Sequence, residues 1–297
     1  MTTKISSSRK TFPVHYKTVR VNEQDVFYRE AGLESAPTIL LLHGFPTSSN
    51  MFRNLIPLLA NSFRVLAPDY PGFGLSSMPD HKSFAYTFEN LTNIVEQFVE
   101  TLNLKKYSLY VMDYGAPIGY RLALRLPDRV QALIVQNGNA YEEGLLEFWN
   151  PIKKYWAEAT PENRKALNFL VDQKSTQWQY ETGVADKTLL DPTAWILDQV
   201  GLDRPGNLEI QMDLFLSYGT NVPLYPEFQA FFRKYQPPTL IVWGKNDFIF
   251  PPQGAAPYSR DLKNLETHLL DTGHFALETH GGEIADRMES FLLKQKL

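Results

Sequence analysis

The 297-residue sequence contains no cysteine. Disulfides, thiolate metal sites and a cysteine nucleophile are therefore excluded. It also lacks any run of about 18 apolar residues that would span a bilayer. Basic charge is not in excess either: 29 Lys and Arg stand against 33 Asp and Glu, a formal charge of −4, with no Lys/Arg-rich stripe. Such a chain has no general attraction for nucleic acid or an anionic membrane. No His/Asp/Glu cluster has metal-ligand spacing and no GxGxxG phosphate loop occurs, so neither a metal nor an organic cofactor is implied. Residues 1–10 are polar and Ser-rich, without the apolar core of a secretory signal. The first 21 residues also lack acids, a faint transit-peptide feature, but a disordered start and a soluble, cytoplasmic protein are the expectation.

What is present is apolar and aromatic. Hydrophobic residues make up 43%, and there are 19 Phe, 15 Tyr and 5 Trp. That suffices for one large core, with a surplus of rings to line an apolar pocket. Short apolar runs alternate with helical patterns, which predicts βαβ units and a mostly parallel sheet. Residues 16–21 and 26–30 read as strands of an N-terminal β-meander. Strands follow at 38–42, 64–67, 107–112, 132–136, 239–243 and 266–270, and helices at 51–59, 88–101, 116–126 and 283–293. From 138 to 222 no strand run occurs; the pattern is helical, broken by Pro151, Pro161, Pro192 and Pro205. The predicted division is a core of 1–137 and 223–297 with a helical cap inserted at 138–222.

Three strand ends carry chemistry. In LYVMDYGAPIG, residues 109–119, a strand runs into a helix through Asp113-Tyr114-Gly115. A residue at such a junction stands above the sheet edge, facing the positive end of the helix. Asp is also a favoured helix N-cap, the bland reading of Asp113 alone. Asp247 lies in the loop after the strand TLIVWG, and His274 follows the strand ending at 270 through Gly273. Each alone reads as a loop or surface residue. Together they give the order nucleophile, acid, base in the layout of a nucleophile elbow, with Asp in the place of Ser. His43-Gly44-Phe45-Pro46 follows the buried strand 38–42, where a backbone N–H completes an oxyanion hole. The expected donors are the N–H groups of Phe45 and Tyr114, with His43 bracing the loop.

The segments HGFPTSS, DYPGFGLSS, DYGAPIGYRLA and GHFALE resemble the epoxide hydrolase and haloalkane dehalogenase branch of the α/β-hydrolase superfamily, from about Val19 to the C-terminus. The resemblance implies a mostly parallel eight-stranded sheet flanked by helices, with an inserted cap. It also implies that Asp113 attacks carbon to form an alkyl-enzyme ester, which water activated by His274 then hydrolyses while Asp247 orients the imidazole. A small apolar substrate and a homodimer are compatible with it. Epoxide hydrolases of the branch protonate the departing oxygen with two cap tyrosines. Ser217-Tyr218-Gly219-Thr220-Asn221 resembles the second motif, making Tyr218 the candidate acid. The register of WQYETGV puts Ser175 where the first tyrosine belongs, leaving Tyr180 and Tyr141 as substitutes. Dehalogenases hold halide with N–H donors, often a Trp after the nucleophile and an Asn after His-Gly; here these places hold Tyr114 and Phe45. Trp178 or Trp149 could supply a donor, and the Arg that follows the nucleophile in fluoroacetate dehalogenases is absent. Epoxide hydrolysis is therefore ranked above dehalogenation. From another class, a non-catalytic ligand-binding member of the fold remains, though an idle site need not keep all three residues; Asp113→Ala separates these readings.

Overall fold

A computed structural model describes residues 12–297. The expected disordered start lies outside the described residues. Eight strands form one sheet among the described residues: β1 His15–Val21, β2 Gln24–Ala31, β3 Thr38–Leu42, β4 Arg64–Pro68, β5 Tyr107–Met112, β6 Val130–Gln136, β7 Thr239–Gly244 and β8 Leu265–Leu270. Their order is β1-β2-β4-β3-β5-β6-β7-β8. The strands from β3 onward run parallel, while β1 and β2 are antiparallel to each other and β2 to β4.

The expected meander reaches only the β1–β2 hairpin, closed tightly by Asn22 and Glu23, both at positive φ. The chain then leaves β2, lays β3 inside the sheet and returns to add β4 between them. Periodicity shows that a strand exists but not which neighbour it pairs with.

Helices cover both faces. They are α1 Leu55–Leu59, α2 Phe88–Thr101, α3 Gly115–Arg125, α4 Asn150–Ala157, α5 Pro161–Lys165, α6 Gln173–Glu181, α7 Pro192–Leu202, α8 Asn207–Tyr218, α9 Tyr225–Tyr235, α10 Tyr258–Asp261 and α11 Ala276–Lys294. The side-chain alternation of the central strands divides the core into two layers. Leu40, Leu42, Leu109, Val111 and Val135 face α2, α3 and α9, whereas Ile39, Leu41, Tyr110 and Ile134 face α1 and α11. Burying both faces is what a parallel sheet requires, and it explains the unbroken apolar runs.

Two helix expectations change. The helix at 51–59 is a 3-10 turn, Ser49–Phe52, followed by the short α1. The closing helix starts seven residues earlier than 283: α11 begins at Ala276 and kinks at His280, before Gly281-Gly282. Between β6 and β7, helices α4 to α8 carry no strand among the described residues, and rings from this segment lie over the carboxyl end of β5. No described helix is long and apolar enough to cross a membrane.

Candidate active site

β5 is buried along its whole length and passes straight into α3. The turn is made by Asp113, at φ +50. This left-handed backbone is uncommon for a residue with a side chain, and Asp tolerates it better than most. Two glycines let the surrounding loops close. A Cβ on Gly115 would stand 2.2 Å from the Leu42 carbonyl oxygen, and one on Gly44 would stand 2.4 Å from the Asp113 Cβ.

The carboxylate of Asp113 is not a helix cap. The N–H of Ala116, in the first turn of α3, goes to the Asp113 backbone carbonyl at 2.9 Å. Asp113 Oδ1 instead accepts the N–H groups of Phe45 at 2.7 Å and Tyr114 at 2.6 Å. Oδ2 stays clear of both and lies 3.7 Å from His274 Nε2. That nitrogen is buried and has no hydrogen-bond partner. The other ring nitrogen, Nδ1, lies 2.7 Å from Asp247 Oδ2. The three side chains thus stand in one line, all buried: Asp113 is 4% exposed, His274 2% and Asp247 4%.

Burial raises the Asp113 carboxyl above the ordinary carboxylate range, against the pull of His274 and the two N–H donors. For His274, burial disfavours the charged ring, yet Asp247 and then Asp113 outweigh it and hold the imidazole above its usual value.

The loop after β3 is held by His43. Its Nδ1 donates to the Gly44 carbonyl at 2.9 Å, and its Nε2 accepts the Tyr70 N–H at 3.3 Å. The ring stacks on Tyr70 with centroids 4.0 Å apart, and burial pushes its pKa down to about 3, so it stays neutral. The bracing place expected of His43 matches this geometry.

Asn137 went unnoticed in the sequence. It follows β6 at φ +43, and its amide N–H donates to Asp247 Oδ2 at 2.8 Å while its Oδ1 accepts the Gly244 N–H at 2.9 Å. The available signal was positional: a polar turn residue ends the strand lying between those of Asp113 and Asp247. Asp247 Oδ1 accepts the Ile249 N–H at 2.7 Å, so both of its oxygens are fixed.

Beside Asp113 lies a cavity of about 20 Å3, walled by Phe45, Tyr114, Phe148, Trp149, Leu170 and Gln179 among others. That is room for about one water molecule. Phe148, Leu170 and Gln179 also wall an apolar surface groove of about 390 Å3, lined on its outer side by Phe169 and Trp178. The space beside Asp113 is therefore small and mostly apolar, and Phe148, Leu170 and Gln179 stand between it and this groove.

Several candidate residues are not brought to Asp113. Tyr141 gives its hydroxyl to Asp261 at 2.7 Å and lines a different cleft beside Glu143 and Arg260. Tyr180 bonds Asp198 at 2.5 Å and stacks on Phe275, centroids 3.9 Å apart. Trp178 is 40% exposed and stacks on Phe148 from the groove side. Trp149 does wall the cavity, but its indole N–H is spent on the Ile249 carbonyl at 2.7 Å. Tyr218 is buried against Tyr114 and Trp149, with centroids 6.0 and 4.6 Å away. Its hydroxyl interacts with that of Tyr225, and the residue does not line the cavity. The hydroxyl of Tyr114, in contrast, is buried without a partner.

The model of the alpha/beta hydrolase fold family matches residues 37–281. An uncharacterized hydrolase of Saccharomyces cerevisiae is 48% identical over 269 residues, covering 89% of this chain and 92% of the relative. Haloalkane dehalogenase 2 of Mycobacterium tuberculosis is 29% identical over 268 residues, covering 84% of this chain and 86% of its own. The crystal structure of a haloalkane dehalogenase from Bradyrhizobium elkani superposes with a TM-score of 0.79 at 21% identity, over 96% of this chain and 99% of that one. By its sheet order, its turn at Asp113 and these matches, the chain belongs to the alpha/beta hydrolase fold family, alongside haloalkane dehalogenases.

Proposed function

We propose that the protein hydrolyses a small apolar electrophile through a covalent ester on Asp113. One observation carries the reading: Oδ1 already holds two backbone N–H groups, while Oδ2 is free and faces an unpaired imidazole nitrogen 3.7 Å away. A carboxylate is ionised near pH 7 and needs no base to attack carbon. Once Oδ2 is alkylated, Oδ1 becomes the ester carbonyl oxygen and sits in its oxyanion hole without moving. The gap to His274 Nε2 fits a water that the imidazole deprotonates towards the ester carbon.

The same geometry times the two steps. Asp113's negative charge is one of the causes that raise His274. Ester formation removes that charge, so the imidazole pKa falls and the neutral base is released when it is needed. Asp247 stays to hold the Nδ1–H tautomer and to stabilise the imidazolium that forms.

Between a strained oxygen ring and a halide, we favour the epoxide. Attack by Oδ2 on a ring carbon breaks the C–O bond, and the electron pair stays on oxygen, which then needs a proton. The buried Tyr114 phenol keeps its proton well above pH 10, because burial and then Asp113 oppose its ionisation, and its hydroxyl has no other partner. It supplies the proton, and the proton that His274 takes from water restores it. Tyr218 packs behind it, and residues 138–222 serve as the cap over the site. A halide is the second reading, favoured by the likeness to haloalkane dehalogenases along most of both chains. The discriminating test incubates the protein with a panel of short terminal epoxides and one of haloalkanes. Diol is the expected product. Halide release without diol overturns the choice of leaving group, and an Asp113→Ala protein with full turnover overturns the ester.

A further inference from the structure

We propose that Gln179 is a catalytic residue: its side-chain amide donates an N–H to the substrate's departing heteroatom, opposite Asp113. This rests on the ester reading above and names a second donor within it.

Gln179 lies on α6, whose inward face presents Thr176, Gln179 and Tyr180. Its two neighbours on that face are spoken for. Thr176 gives its hydroxyl to Gln199 at 2.7 Å, and Tyr180 gives its own to Asp198. Gln179 is only 5% exposed, yet its amide makes no hydrogen bond with the described residues. The amide borders the surface groove, so it is open to a partner that enters from there. The rest of the wall between groove and cavity is closed by the apolar Phe148 and Leu170. Gln179 is thus the polar side chain of this shared wall, with donor and acceptor capacity unused by the described residues.

The cavity tells where that partner sits. Gln179 and Asp113 wall one space of about 20 Å3, room for about one water. A heavy atom placed in so small a volume touches both walls at once. Asp113 delivers its electron pair to carbon on one side, and negative charge grows on the leaving atom opposite. With a carboxylate across the gap, the amide presents N–H rather than carbonyl. The other hydrogen-bonding group of the neighbouring wall, the Trp149 indole, is committed to Ile249. An epoxide oxygen has two lone pairs; Tyr114 O–H takes one and Gln179 N–H the other. In the step, the Oδ2–C bond forms, the C–O bond breaks, and the oxygen keeps the pair and the phenol's proton. Gln179 transfers no proton.

The same residue walls the surface groove. Its side chain therefore meets the substrate as it crosses from groove to cavity, which orients the heteroatom ahead of the apolar chain.

The test separates the two chemical steps. In a His274→Gln background, 1,2-epoxyhexane is mixed with excess protein, and the Asp113 adduct is followed by rapid-quench mass spectrometry. Adding Gln179→Leu should slow adduct formation by about tenfold to a hundredfold. Gln179→Met, equal in length and apolar, should do the same and guards against a folding defect in the first variant. With His274 intact, ester hydrolysis should be unchanged, so less adduct stands at steady state. Adduct formation at the parental rate in a variant of parental Tm overturns the proposal. So does equal slowing of both steps, the mark of a purely structural role. If the His274→Gln parent itself forms no adduct on Asp113, the ester reading fails and this one with it.

Discussion

Replacing Asn137 by Ala removes one restraint on Asp247 and one on Gly244 without touching the residues that act on substrate. The Nδ2–H bond to Asp247 Oδ2, 2.8 Å long, is made to a charged acceptor in a buried site. Hydrogen bonds to charged groups contribute about 1.5–3 kcal/mol. The Gly244 N–H, bonded to Asn137 Oδ1 at 2.9 Å, is left unpaired, for about 1–3 kcal/mol more. Ala is also worse than Asn at φ +43, by about 1 kcal/mol. These losses overlap, and a net destabilisation of about 3–5 kcal/mol is expected from urea unfolding. Asp247 keeps the Ile249 N–H and the His274 ring, so the imidazole survives but is aimed less tightly. Ester hydrolysis should slow by about tenfold or more, while adduct formation on Asp113 holds its rate. Unchanged unfolding together with unchanged hydrolysis would refute the argument that Asn137 fixes the acid.

Asp247→Asn should leave alkylation nearly intact and cut ester hydrolysis by about 10³–10⁴, because the wrong imidazole tautomer is held; accumulating ester on mass spectra checks this. Tyr114→Phe should slow epoxide alkylation by about a hundredfold yet stabilise the fold by about 1 kcal/mol, since it deletes a buried hydroxyl with no partner; rapid-quench rates and thermal unfolding test the two halves. Burial raises the Asp198 carboxyl to about 7 from the usual 3.8. The fold therefore prefers it protonated, and that contribution is full below about pH 4 and lost as pH rises through about 7. Asp198→Asn should accordingly gain stability relative to the parent between pH 5 and pH 8, read as a widening difference in Tm. The pKa governing ester hydrolysis should lie below the His274 pKa of the resting protein measured by NMR, because the ester has lost the Asp113 charge; an equal or higher value contradicts the timing described above.

The strand ends were legible because their signals are local. Buried runs such as 107–112, glycines demanded by close contacts, and polar residues just past each strand placed Asp113, Asp247 and His274 on one edge of the sheet, and the coordinates join them. The pairing of β2 with β4 was not legible, because which strand lies beside which is decided by the whole sheet. The inserted helices were the least readable part. In α6, α7 and α8 apolar residues are spread around the helix, so no apolar stripe announces which way each is turned. Tyr141, Tyr180 and Trp178 looked as eligible as any residue, yet their hydroxyls or rings are used for packing and bonding elsewhere. Gln179 sits between Trp178 and Tyr180 in the sequence, and only the rotation of α6 reveals that it is the one of the three that walls the cavity beside Asp113.

A single turnover in heavy-oxygen water tests the central claim most directly, with protein in excess over a short epoxide. If Asp113 is the nucleophile, the oxygen added to the first product comes from its Oδ2. The diol is then unlabelled, and a peptide containing Asp113 gains one heavy oxygen. A labelled diol with an unlabelled Asp113 would mean that water attacks the substrate directly and that no ester forms.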